Sequence, residues 1–81
     1  MSTRATIISE MEKIAKEQNK NLAQLTNDLA LLESGLDSLG FAILVARLEE
    51  ILNVDPFSAD GEISFPVTFG DLVRIYEYAL K

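Results

Sequence analysis

From Ser38 to Leu52 the chain reads SLGFAILVARLEEIL. Leu39, Ala42, Leu44, Val45, Leu48, Ile51 and Leu52 cover more than one face of a helix, and only Arg47, Glu49 and Glu50 are charged. A helix this apolar is either largely buried or shows part of its apolar surface to a partner. Asn53 and the Asp55-Pro56 step end it, because the residue before a proline avoids the helical region. The rest of the chain must supply the cover.

Upstream, Ile7, Met11, Ile14 and Ala15 recur at spacings of four and three between Thr3 and Glu17, with Glu12, Lys13 and Lys16 opposite. That is one apolar stripe of an amphipathic helix. Asn19, Lys20 and Asn21 end it. The stretch to Asp37 sets Leu22, Leu25, Leu29, Leu31, Leu32 and Leu36 among Asn, Thr and Asp, with Gly35 breaking any helical period. It predicts an ordered loop pinned by its leucines. Loops of that length inside a small domain are uncommon and often functional.

Downstream, Pro56, Gly61 and Pro66 leave room for one short helical turn, near Phe57 to Glu62. Thr68-Phe69-Gly70-Asp71 has the form of a capping box. Phe69, Leu72, Val73, Tyr76, Ala79 and Leu80 follow at helical spacing, and Lys81 suits the negative end of the helix dipole. No repeat and no strand alternation is present. The expected class is all-α: a small bundle of three main helices plus one short helix, with a long loop between the first and second. Residues 1–81 read as a single domain. The expected core joins Ile7, Met11 and Ile14 to Leu44, Val45, Leu48 and Leu52, completed by Leu72, Val73, Tyr76 and Leu80, with Tyr78 at the surface.

Composition excludes much chemistry. The 81 residues carry a net charge of −6 and contain neither Cys nor His. Disulfides, thiolate metal sites and a Cys nucleophile are ruled out, as are imidazole ligands and a Ser-His-Asp triad. Any thiol or neutral-pH base must come from outside the chain. The acidic balance argues against nucleic acid, which takes most of its affinity from Lys and Arg on phosphates. The longest apolar run, Phe41 to Ala46, is far short of the roughly 20 residues of a membrane span. No basic start followed by an apolar stretch marks an export signal. These features predict a soluble, cytoplasmic monomer without catalysis of its own. Asp60-Gly61-Glu62-Ile63 has the look of a calcium loop, but Pro56 and Val67 would fall at its ligating ends, so no metal site is expected.

Among six serines, Ser38 alone follows an acid, opens a helix and stands at the end of the long loop. Helix starts have free N–H groups and partial positive charge, which suit a phosphate. Read from these features alone, an Asp or Ser before an apolar helix is most often a plain N-cap. A nucleophile elbow is excluded, because Leu36 stands where a glycine is needed and no base is present. An unactivated serine can still be modified by another enzyme.

Gly35-Leu36-Asp37-Ser38-Leu39 resembles the Asp-Ser-Leu signature of acyl and peptidyl carrier proteins. The order and lengths of the helices, the leucine-pinned loop, the Pro-containing connection and the Thr-capped last helix resemble that family over nearly the whole chain. The resemblance implies that a phosphopantetheinyl transferase attaches 4′-phosphopantetheine covalently to Ser38, flanked by Asp37 and Leu39. It also implies that the terminal thiol carries acyl groups as thioesters between a loading ligase and downstream synthase enzymes of fatty-acid, polyketide or related biosynthesis.

The second helix departs from the fatty-acid type, which carries several acids there. Gly40 follows Leu39, and Ile43 and Arg47 fill further positions. Leu39, Ala42, Ile43, Ala46 and Arg47, with Glu50 among the remaining acids, form the expected partner-recognition strip, unless Ile43 packs into the core instead. That apolar strip is more similar to aminoacyl or peptidyl carriers of nonribosomal-peptide-type pathways, which leaves that cargo as an alternative. An acidic helical adaptor without cofactor is the alternative of another class.

Overall fold

A computed structural model describes residues 2–56 and 66–80. The short turn expected near Phe57 to Glu62 and the terminal Lys81 lie outside the described residues. Within them the fold is all-helical: α1 (Thr3–Glu17), a 3-10 turn (Leu31–Glu33), α2 (Ser38–Leu52) and α3 (Phe69–Ala79). None of these helices is long and apolar enough to cross a membrane.

Each helix is delimited by side chains that the local sequence supplies. Ser2 caps α1 by accepting the Ala5 N–H at 3.0 Å. Asn19 then turns left-handed (φ 57°), and the Lys20 N–H reaches back to the Ala15 carbonyl at 2.7 Å. With the Asn19 N–H on the Lys16 carbonyl at 3.2 Å, this is a Schellman closure with asparagine in the usual glycine place. Asn53 (φ 59°) ends α2 in the same left-handed conformation. At α3 the expected capping box is present in both directions: Thr68 Oγ1 accepts from the Asp71 N–H at 3.1 Å, and Asp71 Oδ2 accepts from the Thr68 N–H at 3.3 Å.

The core gathers Ile7, Met11, Ile14 and Ala15 of α1, Phe41, Leu44 and Leu48 of α2, and Phe69, Leu72, Val73 and Tyr76 of α3. Burial, with the carboxylates of Asp55 and Glu49 adding to it, pushes the Tyr76 hydroxyl up to about 12. Tyr78 is exposed, as expected. Three expected core members stand elsewhere. Val45 is half-buried, because seven residues from Ser38 is nearly two turns and returns it to within about 20° of the Ser38 side. Leu52 packs only partly against the cluster. Leu80 has the inward phase but lies past the last turn as C-cap, and it is exposed.

The long loop contributes Leu31 and Leu36 to the core, with Leu22 and Leu25 packed at its edge. Leu32 is not pinned; it is 90% exposed. Ser34 is buried, donating its hydroxyl to the Leu31 carbonyl at 2.7 Å. Gly35 turns with φ +108°, and a Cβ there would collide with the Asn21 carbonyl oxygen, so only glycine fits this approach to Asp37. The loop is also stitched to the start of α3. An isolated antiparallel bridge pairs Ala30 with Thr68. Around it the Leu31 N–H donates to the Val67 carbonyl and the Phe69 N–H to the Leu29 carbonyl, both at 2.9 Å.

Candidate functional site

The turn at Gly35 delivers Asp37 in an extended conformation (φ −97°, ψ −173°) directly ahead of α2. Asp37, not Ser38, is the N-cap: its Oδ1 accepts the Gly40 N–H at 2.8 Å. Its other oxygen, Oδ2, accepts from Lys20 Nζ at 3.0 Å. These bonds, the Gly40 amide first and the Lys20 ammonium second, hold the Asp37 carboxyl below its ordinary value, so it is ionised at neutral pH.

With the cap on Asp37, Ser38 becomes the first helical residue. Its side chain is exposed and has no hydrogen bond among the described residues. The Ser38 and Leu39 amides, in the first turn, have no intrahelical acceptor. The other described serines are engaged or enclosed. Ser2 caps α1, Ser9 is half-buried within that helix, and Ser34 is buried. Ser58 and Ser64 lie outside the described residues.

Beside Ser38 an apolar groove of about 820 Å³ is lined by Leu32, Leu36, Asp37, Phe41, Ala42 and Val45. The expected recognition strip divides on the structure. Leu39, Ala42, Ala46 and Glu50 face outward with Ser38. Ile43 is half-buried against the core, and Arg47 turns to α1, where it bonds Glu17 Oε1 at 2.7 Å. That bond raises Arg47 above its ordinary value.

Lys20, Phe41 and Val45 were not singled out as site residues by sequence reasoning. Phe41 and Val45 sit in an apolar run whose phase decides their place. Lys20 meets Asp37 only because of the loop's path, and no local period signals it.

The family described as phosphopantetheine attachment site matches residues 5–60, which span α1, the loop, α2 and the chain beyond it. The chain belongs to this family. No curated protein and no solved structure matches it significantly. Phosphopantetheine-attachment proteins bear 4′-phosphopantetheine as a covalent cofactor and act as its carriers. The residues here fit that group. A carrier of this kind needs an exposed hydroxyl free of competing bonds, and Ser38 offers one at a helix start whose cap is already made by its neighbour. Three oriented features meet at this point: an ionised cap, a free hydroxyl and an apolar groove.

Proposed function

We propose that Ser38 is the attachment point of 4′-phosphopantetheine and that the chain carries acyl intermediates for enzymes of fatty-acid, polyketide or related biosynthesis. The observation that carries this reading is the division of labour at α2: Asp37 performs the capping, which leaves the Ser38 hydroxyl exposed and unbonded. Bound there, the cofactor supplies a terminal thiol able to hold an acyl group as a thioester, the reactive group that a chain without cysteine lacks. The chain's own residues present and recognise. Asp37 orders the first turn, Leu39 flanks the site, and Leu39, Ala42, Ala46 and Glu50 offer partners an exposed face. The partners are a phosphopantetheinyl transferase, a loading ligase and downstream synthases, and the chain itself performs no catalysis.

Intact mass after co-expression with a phosphopantetheinyl transferase tests the reading. Wild type should gain one phosphopantetheinyl mass, and Ser38→Ala should fold and gain none. A Ser38→Ala chain that still takes the cofactor sinks the assignment. If wild type takes none, the cofactor-free adaptor becomes the better account.

A second reading of the cargo rests on the outward face of α2. Near Ser38 it presents Leu39, Ala42 and Ala46, and its acids, Glu49 and Glu50, come only farther along. Apolar anchors of this kind carry binding energy, whereas rim charges mainly set rate and salt dependence. This favours an aminoacyl or peptidyl load over partners that read a row of acids. Loading assays on the holo protein, with an amino-acid-adenylating ligase against a fatty-acyl ligase, separate the two.

A further inference from the structure

We infer that Lys20 is a positioning residue for the modified serine: it fixes the Asp37 carboxylate in the cap and balances the negative charge that modification adds beside it. The inference rests on the reading of Ser38 as the attachment point.

Lys20 is not a loose surface lysine. The Schellman closure after α1 fixes its backbone, with the Lys20 N–H on the Ala15 carbonyl at 2.7 Å and Asn19 left-handed before it. From there its ammonium reaches Asp37 Oδ2 at 3.0 Å, while Oδ1 takes the Gly40 N–H at 2.8 Å. The carboxylate is therefore held from two sides, one within α2 and one from the end of α1. Ser38 follows Asp37 directly, so whatever fixes that carboxylate fixes the approach to the serine.

Charge makes the second half of the argument. Transfer from coenzyme A would form a bond from Ser38 Oγ to the pantetheine-linked phosphorus, break the pyrophosphate P–O bond and release adenosine 3′,5′-bisphosphate and the hydroxyl proton. A neutral hydroxyl so becomes a phosphodiester anion next to an ionised aspartate. Two adjacent anions repel, and an ammonium in contact with one offsets part of that repulsion. Among the described residues, the other paired cations are placed elsewhere: Arg4 on Asn27, Lys13 on Glu10, Arg47 on Glu17 and Arg74 near Asp71. Lys20 is the cation that the structure sets against the residue flanking Ser38. Both partners are substantially exposed, at 38% and 50%, so water and salt limit the effect.

The test uses the full-length chain, coenzyme A and a phosphopantetheinyl transferase, with Lys20→Met and Lys20→Arg. In the unmodified protein, carbon-detected NMR titration should find the Asp37 carboxyl higher in Lys20→Met than in wild type, with Lys20→Arg restoring it. At low salt, Lys20→Met should be modified with a kcat/KM lower by about two- to fivefold, the range of an exposed ion pair, and Lys20→Arg should recover most of it. The deficit should shrink as salt rises. A purely structural lysine would move neither the carboxyl titration nor the salt dependence. If wild type is modified at Ser38 while Lys20→Met matches it in Asp37 titration and in rate, the role of Lys20 is overturned and Ser38 stands. If wild type is modified at another residue or not at all, both fall.

Discussion

At the start of α3, Thr68 and Asp71 cap each other, and the chain then closes over the turn. Phe69, the first helical residue, is fully buried, and the Arg4 guanidinium lies over its ring at 5.0 Å. Arg4 also donates to Asn27 Oδ1 at 2.6 Å, so α1 and the loop both cover this end. At the start of α2, Asp37 makes an equivalent cap, but Ser38, the residue corresponding to Phe69, faces water. The two helix starts share their capping chemistry and differ in cover. A free helix start is a site for chemistry only where the rest of the chain leaves it open, and here the path of the long loop makes that choice.

The largest test of this contrast exchanges the first residues for alanine. Phe69→Ala should lose about 3–5 kcal/mol, as buried aromatics do, which leaves a domain of about 5 kcal/mol close to unfolded. Ser38→Ala should stay within about 0.5 kcal/mol of wild type, as exposed changes do. Urea unfolding of both variants decides it; a Phe69→Ala loss below about 1 kcal/mol would break the contrast.

Glycines sharpen it next. A Cβ on Gly70 would stand 3.0 Å from the Asn27 backbone oxygen, whereas on Gly40 it would meet the Leu36 Cβ at 3.2 Å and Gln18 Oε1 at 3.3 Å. Loop backbone yields less readily than side chains. Gly70→Ala is therefore expected to cost about 1–3 kcal/mol by overpacking. Gly40→Ala should change stability by less than about 0.5 kcal/mol, because up to about 1 kcal/mol of helix propensity offsets the crowding. Thermal melts of the two variants give the comparison directly.

The helix lengths were legible because they are set locally. The apolar runs of α1 and α2 end at Asn19 and Asn53, and Thr68 with Asp71 announces α3. The signature around Asp37-Ser38-Leu39 is what singles out Ser38 for the proposed attachment. The sharing of work between Asp37 and Ser38 was not legible, since either residue makes a good cap and only the hydrogen bond to Gly40 separates them. Val45 went to the groove because tertiary packing decides which face of α2 turns inward, and Leu80 to solvent because it lies past the last turn of α3. The Lys20–Asp37 pair and the Ala30–Thr68 bridge join residues far apart in the chain, where no periodicity can reveal them.

Removing the caps should have a smaller effect. Thr68→Ala and Asp37→Ala are each expected to cost about 1 kcal/mol. Both capping carboxyls lie below their ordinary 3.8, Asp37 chiefly through the Gly40 amide and Asp71 chiefly through the Thr68 amide. A lowered folded value means that the stabilisation is present above 3.8 and fades as pH falls through the folded value. As pH falls from above 3.8 through the folded value, Asp37→Asn and Asp71→Asn should each lose less stability than wild type. Acid titrations followed by circular dichroism, with curves parallel to wild type as the contrary result, check this.

Salt should have the least effect. The net charge of −6 sits on a small surface, so moderate salt should raise the melting temperature slightly by screening repulsion. A melting temperature that falls instead would show that exposed pairs such as Lys20–Asp37 outweigh that repulsion.

The bridge between the loop and α3 also sets a timescale. The Leu31, Phe69 and Gly70 amides bond to Val67, Leu29 and Asn27, partners distant in sequence. Such bonds re-form only after a long segment has closed again, so they open with the core as one cooperative unit. The Gly40 amide depends on an exposed aspartate and can open alone. In native-state hydrogen exchange the first three should share the free energy of global unfolding, and Gly40 should exchange much faster. The end of the molecule that bears the proposed attachment serine can thus rearrange many times within the lifetime of a single folded state.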